Sequence, residues 1–320
     1  MNNIRSNLIW PKALAESGAS LVMDRTVVKV TGEAAANYLQ GQLSQDIEAM
    51  PIGSSAYSFV LEPQGKISAW FRVTRLGENS FLLDTDAGFE EPLITRLERF
   101  KLSTPVQFEA ISNAQILAVR YTHQIPAQAT VPAQEALAGE AVLATIPVRE
   151  TGYCGWDVLG IDLSIPTSLA PLPKDIFEAL RIEAGIPAMG QEILSNTIPA
   201  ATRMVERSVS FTKGCYTGQE LVARMDSRGN KSPQSLVTLS FQTEEAPQVG
   251  DQIYLVHDEN NGSRHEEAKP VGAVTSVAPL GSAGTAVALG YVVRAVELPA
   301  AVKVGTKELS AQSFAPIVSA

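Results

Sequence analysis

One of only two cysteines in the chain, Cys215, lies in the stretch Lys213-Gly214-Cys215-Tyr216-Thr217-Gly218-Gln219-Glu220. A thiol becomes reactive when its thiolate is favoured, and both a neighbouring cation and a helix N-terminus favour it. Thr217 and Glu220 are spaced as a capping box, with the threonine capping a helix and the glutamate reaching back from the third helical position. Tyr216 before the cap and Leu221 in the first turn are placed to form a hydrophobic staple. Cys215 is therefore expected just upstream of a helix N-terminus, beside Lys213, with a thiol pKa below the ordinary value of about 8.5. Burial by Tyr216 would act the other way. The same residues also read as an ordinary helix start with a small buried thiol.

The elements around this stretch read as a mixed α+β protein. Thr26 to Val30 is a predicted strand, and Thr31 is placed to cap a helix that Gly41 can end. Ala56 to Leu61 and Ile67 to Val73 read as strands joined by the turn Glu62-Pro63-Gln64-Gly65, with a third strand over Ser80 to Asp84. Phe89 to Lys101 carries a helical apolar face at Leu93, Leu97 and Phe100, and strands near Val106 and Ile116 follow. Thr122 to about Gly139 reads as a variable surface loop or irregular helix. Pro173 to Ala184 is a helix with Ile176, Phe177 and Leu180 inward and Gly185 as its stop. From Ser235 the pattern changes to short strands between Gly, Pro and Asn turns: Leu236 to Phe241, Gln252 to Val256, Val271 to Val277 and Val287 to Val293. That is the pattern of a small antiparallel barrel, with Asp258 to Glu267 a polar excursion from it.

Composition narrows the chemistry. At 320 residues, with 45% hydrophobic and 18% charged, the chain fits a globular protein of more than one domain. A net charge of -9 argues against a surface built for nucleic acid or anionic membrane. Arg203, Arg207, Lys213, Arg224, Arg228 and Lys231 nonetheless cluster in sequence around Cys215, as a solvated face or as an anion site. Cys154 and Cys215 cannot make a disulfide framework or a four-thiolate metal site. The N-terminus shows no secretory signal and the C-terminal region no membrane span, so a cytoplasmic protein with reduced thiols is expected. There is no Gly-x-Gly-x-x-Gly after a strand, no P-loop and no Gly-x-Ser-x-Gly elbow. His123, His257 and His265 lack zinc-protease spacing.

Lys-Gly-Cys-Tyr-x-Gly-Gln-Glu resembles the signature of the YgfZ-type folate-binding proteins, relatives of the glycine-cleavage T-protein (aminomethyltransferase). Four further blocks resemble the family in the same order. They are Val30-Thr31-Gly32 with Tyr38-Leu39-Gln40-Gly41-Gln42, Pro63-Gln64-Gly65-Lys66-Ile67, Arg181-Ile182-Glu183-Ala184-Gly185-Ile186-Pro187, and Gly272-Ala273-Val274-Thr275-Ser276 with Ala288-Leu289-Gly290-Tyr291. The resemblance implies two interleaved mixed α/β domains and a C-terminal antiparallel β-barrel around a central folate cavity. The expected bounds are 1–50 with 140–207, 51–139 with 208–233, and 234–320.

It also implies a ligand, tetrahydrofolate or a one-carbon derivative, and partners that are iron–sulfur enzymes or assembly factors, including those of tRNA modification. No direct contact with nucleic acid or membrane is expected. In this reading Glu183 pairs with the pterin edge, although it is also placed to form a salt bridge with Arg181. Arg224 and Arg228 meet the glutamate tail and Tyr216 stacks on a ring, with Lys213 and Gln219 completing the folate contacts. Cys215 is the functional thiol, as a redox group, a nucleophile or a transient cluster ligand. No stable metal site is expected, because a cluster needs about four ligands. Ser68-Ala69-Trp70 stands where aminomethyltransferases carry a catalytic aspartate. A folate-dependent one-carbon transferase is therefore the alternative function, and an adaptor with a vestigial pocket a third.

Overall fold

The computed structural model describes residues 12–122, 124–125, 129, 141–227, 232–242, 245–256, 269–278, 285–306 and 309–314. Helix α1 (Lys12–Glu16) leads into the long strand β1 (Ala19–Thr31), and α2 (Ala35–Gln42) follows. Thr31 does not cap α2: it ends β1, and the helix starts at Ala35 after Ala34 with no side-chain cap. β1 pairs with β4 along its whole C-terminal half, which holds Thr31 in the ladder and out of reach of the helix. Three strands come next, β2 (Ser55–Leu61), β3 (Ile67–Gly77) and β4 (Ser80–Asp86). They precede α3 (Glu90–Glu98), β5 (Gln107–Ala110), β6 (Ala114–Thr122), β7 (Ala141–Glu150), β8 (Tyr153–Ile161) and β9 (Ala170–Pro171).

These strands form one curled sheet in the order β2-β3-β4-β1-β6-β8-β7, with β5 and β9 also paired to β1. β1 is the joint: Ala19 to Asp24 pair with β6, and Arg25 to Thr31 pair with β4. Alternation along β3 decides what each face of the leaf carries. Ile67, Ala69, Phe71 and Val73 enter the core with Leu39 of α2 and with Leu93 and Leu97 of α3. Trp70 and Arg72, at the intervening positions, line a central cavity.

Helix α4 (Lys174–Glu183) is followed by the short α5 (Pro199–Thr202) and α6 (Val205–Ser208), then α7 (Gln219–Ser227). β10 (Gln234–Gln242), β11 (Gln252–Leu255), β12 (Gly272–Val277), β13 (Thr285–Val293), β14 (Ala300–Val304) and β15 (Leu309–Phe314) close a barrel in the order β10-β13-β12-β11-β14-β15. The expected fold class holds: a mixed α/β, sheet-rich body with a closed antiparallel barrel. Most of Thr122 to Gly139, all of Asp258 to Glu267, and His123, His257, His265, Arg228 and Lys231 lie outside the described residues.

The barrel is sewn to the sheet-bearing body. Ala179 and Ile182 of α4 pack with Leu236, Ala278, Val287 and Leu289 of the barrel. Beside this contact the Arg181 guanidinium donates to Ser276 Oγ (3.0 Å) and Glu192 Oε2 (3.2 Å). Thr275 and Ser276 hydroxyls donate to Glu192 Oε1. Glu192 is fully buried, so these partners supply what water otherwise would. No described helix is long and apolar enough to cross a membrane.

Candidate functional site

Three of the sequence blocks meet around Cys215. The Lys213 ammonium donates to the carbonyls of Gln40 (2.6 Å), Leu43 (2.7 Å) and Gln45 (2.9 Å), at and just beyond the end of α2. That uses all three ammonium protons and sets a cation at the negative end of a helix. Burial pulls the Lys213 pKa down to about 8, while Asp46 and Glu48 act the other way. The backbone N–H of Thr217 donates to the Gly41 carbonyl (3.1 Å), and its hydroxyl to Gln42 Oε1 (3.4 Å). Gln42 in turn accepts from Arg96 of α3. The second block approaches from below. Gly65, at φ +79°, leaves room for Leu221 of α7, whose Cβ would stand 2.4 Å from any Cβ placed there. Gly218, at φ +84°, lies where a Cβ would meet the Glu62 carbonyl at 2.5 Å. Tyr216 is buried in the main core. Cys215, one residue before it, is exposed.

The predicted capping box does not form. α7 begins at Gln219, the Thr217 hydroxyl faces Gln42, and it is the Gln219 side chain that accepts from the Tyr216 N–H (3.2 Å). The left-handed Gly218 separates Thr217 from the helix and gives the close turn onto Glu62 that a cap at Thr217 would prevent. Lys213, expected beside the thiol, is turned to the α2 carbonyls. Replacing it with methionine leaves those carbonyls without their ammonium. We expect Lys213→Met to cost about 1.5–3 kcal/mol in urea denaturation, the scale of hydrogen bonds to a charged group. A change below about 0.5 kcal/mol, the level of an ordinary surface substitution, would show that the anchor is not structural.

The central cavity, about 700 Å³, lies between the curled sheet, α4 and the barrel. Trp70, Arg72, Arg120, Tyr153, Asp157 and Phe177 line it, with Thr275, Ser276 and Val277 on the barrel side. Tyr57 stacks on Trp70, with centroids 4.7 Å apart and planes at 11°, and the Trp70 indole N–H donates to Ser208 Oγ (3.0 Å). A charge network forms the floor. Arg72 holds Asp84 through two nitrogens (3.1 and 3.0 Å) and reaches across to Asp157, which Arg120 Nη2 also holds (2.7 Å). Arg25 adds Asp84 (3.0 Å) and Asp86 (2.8 Å). Burial pushes the Asp157 carboxyl up, but Arg120 and Arg72 outweigh it and hold it at about 2.

The remaining expected site residues are scattered. Glu183 is buried at the end of α4, against the β7–β8 turn: its Oε2 lies 3.8 Å from where a Cβ on Gly152 would be. Its neighbour Arg181 lines the central cavity and pairs with Glu178 and Glu192. Arg224 is exposed on α7. Cys215, Lys213, Tyr216, Gln219 and Arg224 are absent from the lining of the central cavity. The β2–β3–β4 leaf has its α2 side toward the Cys215 loop and its Trp70–Arg72 side toward the cavity. Asp157, Arg72, Arg120 and Tyr57 were not singled out from sequence. A signal existed: a charged residue within an apolar strand, such as Arg72 or Asp157, must have a partner.

The description "GCVT N-terminal domain" matches residues 22–120. A protein of Yersinia enterocolitica named tRNA-modifying protein YgfZ is 29% identical over 74% of this chain and 75% of its own. One of the same name from Vibrio vulnificus is 27% identical over 68% of each. An uncharacterized protein of Haemophilus influenzae is 25% identical over 73% of this chain and 77% of its own. The fold is shared with the glycine cleavage system aminomethyltransferase T of Bartonella henselae, with a TM-score of 0.76 at 23% identity, covering 95% of this chain and 86% of that one. With the motif blocks in family order and this fold in place, the chain is similar to the YgfZ-type proteins and shares the aminomethyltransferase fold.

Proposed function

We propose that this protein binds tetrahydrofolate, or a one-carbon derivative of it, in the central cavity. It presents Cys215 to iron–sulfur enzymes or their assembly factors in support of tRNA modification. The observation that carries the reading is the Cys215 loop, held from three directions yet leaving the thiol exposed. A mere helix start would not need three carbonyls gathered on one lysine. The cavity is of the size of small-molecule sites, and its aromatic and carboxylate lining suits a flat heterocycle with N–H donors. The names of the relatives supply the link to tRNA modification.

One-carbon transfer is the weaker reading. Ser68, Ala69 and Trp70 carry no carboxylate to handle a proton, and the Glu62 carboxylate that accepts from Ser68 lies against Arg96 and Arg99, outside the lining of the central cavity. Calorimetric titration with tetrahydrofolate and with its methylene form tests both readings. Binding without conversion supports the proposal, conversion supports the transferase, and no binding removes folate altogether. If Glu183 holds the pterin edge, Glu183→Gln weakens binding by roughly 1.5–3 kcal/mol. Unchanged affinity in a folded variant leaves a carboxylate of the cavity lining, such as Asp157, to take that place.

A further inference from the structure

The curled sheet stops short of closing. Its edge strands β2 and β7 pair only with β3 and β8 among the described strands, and a second cavity of about 580 Å³ lies between them. Ser55, Ala56 and Tyr57 line it from one side, Pro147, Val148 and Glu150 from the other. Tyr57 and Arg72 line both this cavity and the central one, so the two adjoin across these side chains. Pro147 has no N–H to give to a facing strand, which keeps the seam from zipping shut. On the β2 side the Ser44 N–H and Gln45 Nε2 already occupy the Phe59 and Tyr57 carbonyls. Two ion pairs cross the gap. Arg72–Asp157 is deep and belongs to the network of the floor. The outer one is a single side chain: Arg207 of α6 grips Glu150 of β7 with two nitrogens (2.9 and 2.5 Å), and its guanidinium lies 4.9 Å from the Tyr57 ring centroid. The barrel side of the central cavity, by contrast, is sewn by Arg181, Glu192, Thr275 and Ser276 over an apolar contact.

We propose that the ligand of the central cavity enters through the β2–β7 seam, with Arg207 as the strap across it. This rests on the central cavity being the ligand site, so the test has one arm without ligand. Ser55 points to the same side of β2 as Tyr57, two residues on, and a larger side chain there plugs the seam. Val249, exposed on the barrel side of the central cavity, gives the matching plug for the other mouth. In a Trp10→Phe/Trp156→Phe background, acrylamide quenching of Trp70 is expected to fall in Ser55→Phe and to stay constant in Val249→Phe. Glu150→Gln, which loosens the strap, is expected to raise it. In stopped-flow mixing, Ser55→Phe is expected to slow tetrahydrofolate association about ten-fold, with dissociation slowed equally so that Kd is kept. Quenching that answers to Val249→Phe instead, or to none of the three variants, overturns the route. If tetrahydrofolate fails to bind the unmodified protein while quenching follows the seam, the folate reading falls and the entrance stands.

Discussion

In cells lacking the native protein, Cys215→Ala is expected to leave iron–sulfur enzymes of tRNA modification close to the deficient level, although the variant folds and binds tetrahydrofolate. The geometry separates these properties. Cys215 is exposed, so truncating it removes little packing. The loop is held by Lys213 and by the backbone and hydroxyl of Thr217, none of which the substitution touches. The central cavity does not include it. Denaturation midpoints and folate affinity near those of the parent, together with lost support of the enzymes, give the thiol its function. Full restoration by the alanine variant would mean that the motif serves only to anchor the loop. Lys213→Met separates the two roles from the other side, because it weakens the anchor and leaves the thiol.

Arg72→Met is expected to destabilise the protein by about 3–5 kcal/mol, the scale of removing one partner from a buried ionic network. Asp84 would keep Arg25 and Asp157 would keep Arg120, but each loses its shared guanidinium. Arg72→Lys should restore little, since one ammonium cannot reproduce a fork that holds Asp84 through two nitrogens and Asp157 through a third. Urea denaturation measures both variants, and losses below about 1 kcal/mol, the level of exposed ion pairs, would mean that the network is not coupled. Acid gives an independent check. The folded Asp157 carboxyl, at about 2, lies below its ordinary value of 3.8, so its contribution is fully present above pH 3.8. It is lost as pH falls from there toward 2, and Asp157→Asn should flatten the stability profile in that window.

Local chemistry was legible in the chain wherever one segment decides its own conformation. The turn Glu62-Pro63-Gln64-Gly65 joins β2 to β3, α4 stops at Gly185, and four of the six barrel strands fall where alternation and turn residues put them. β14 and β15 escaped because they are short segments after a loop with no marked pattern. The Cys215 block was correctly singled out, but its internal geometry was read from spacing alone. Thr217 and Glu220 have the spacing of a cap, yet Gly218 bends the chain onto Glu62 and the helix starts one residue later.

The sequence by itself determined the kind of elements, the presence of a barrel, and which block held a thiol set apart by its neighbours. These follow from periodicity, turn chemistry and residue type, all of which act over a few positions. Tertiary structure decided the rest. Lys213 lies far along the chain from Gln40, Leu43 and Gln45, and nothing local could assign its ammonium to the end of α2 rather than to the adjacent thiol. Arg72, Asp84, Arg120 and Asp157 come from four strands, and only the curl of the sheet brings them to one floor. The same curl sets the thiol on one side of the β2–β3–β4 leaf and the cavity on the other, because a strand directs alternate residues to opposite faces and the partners of each face come from distant parts of the chain.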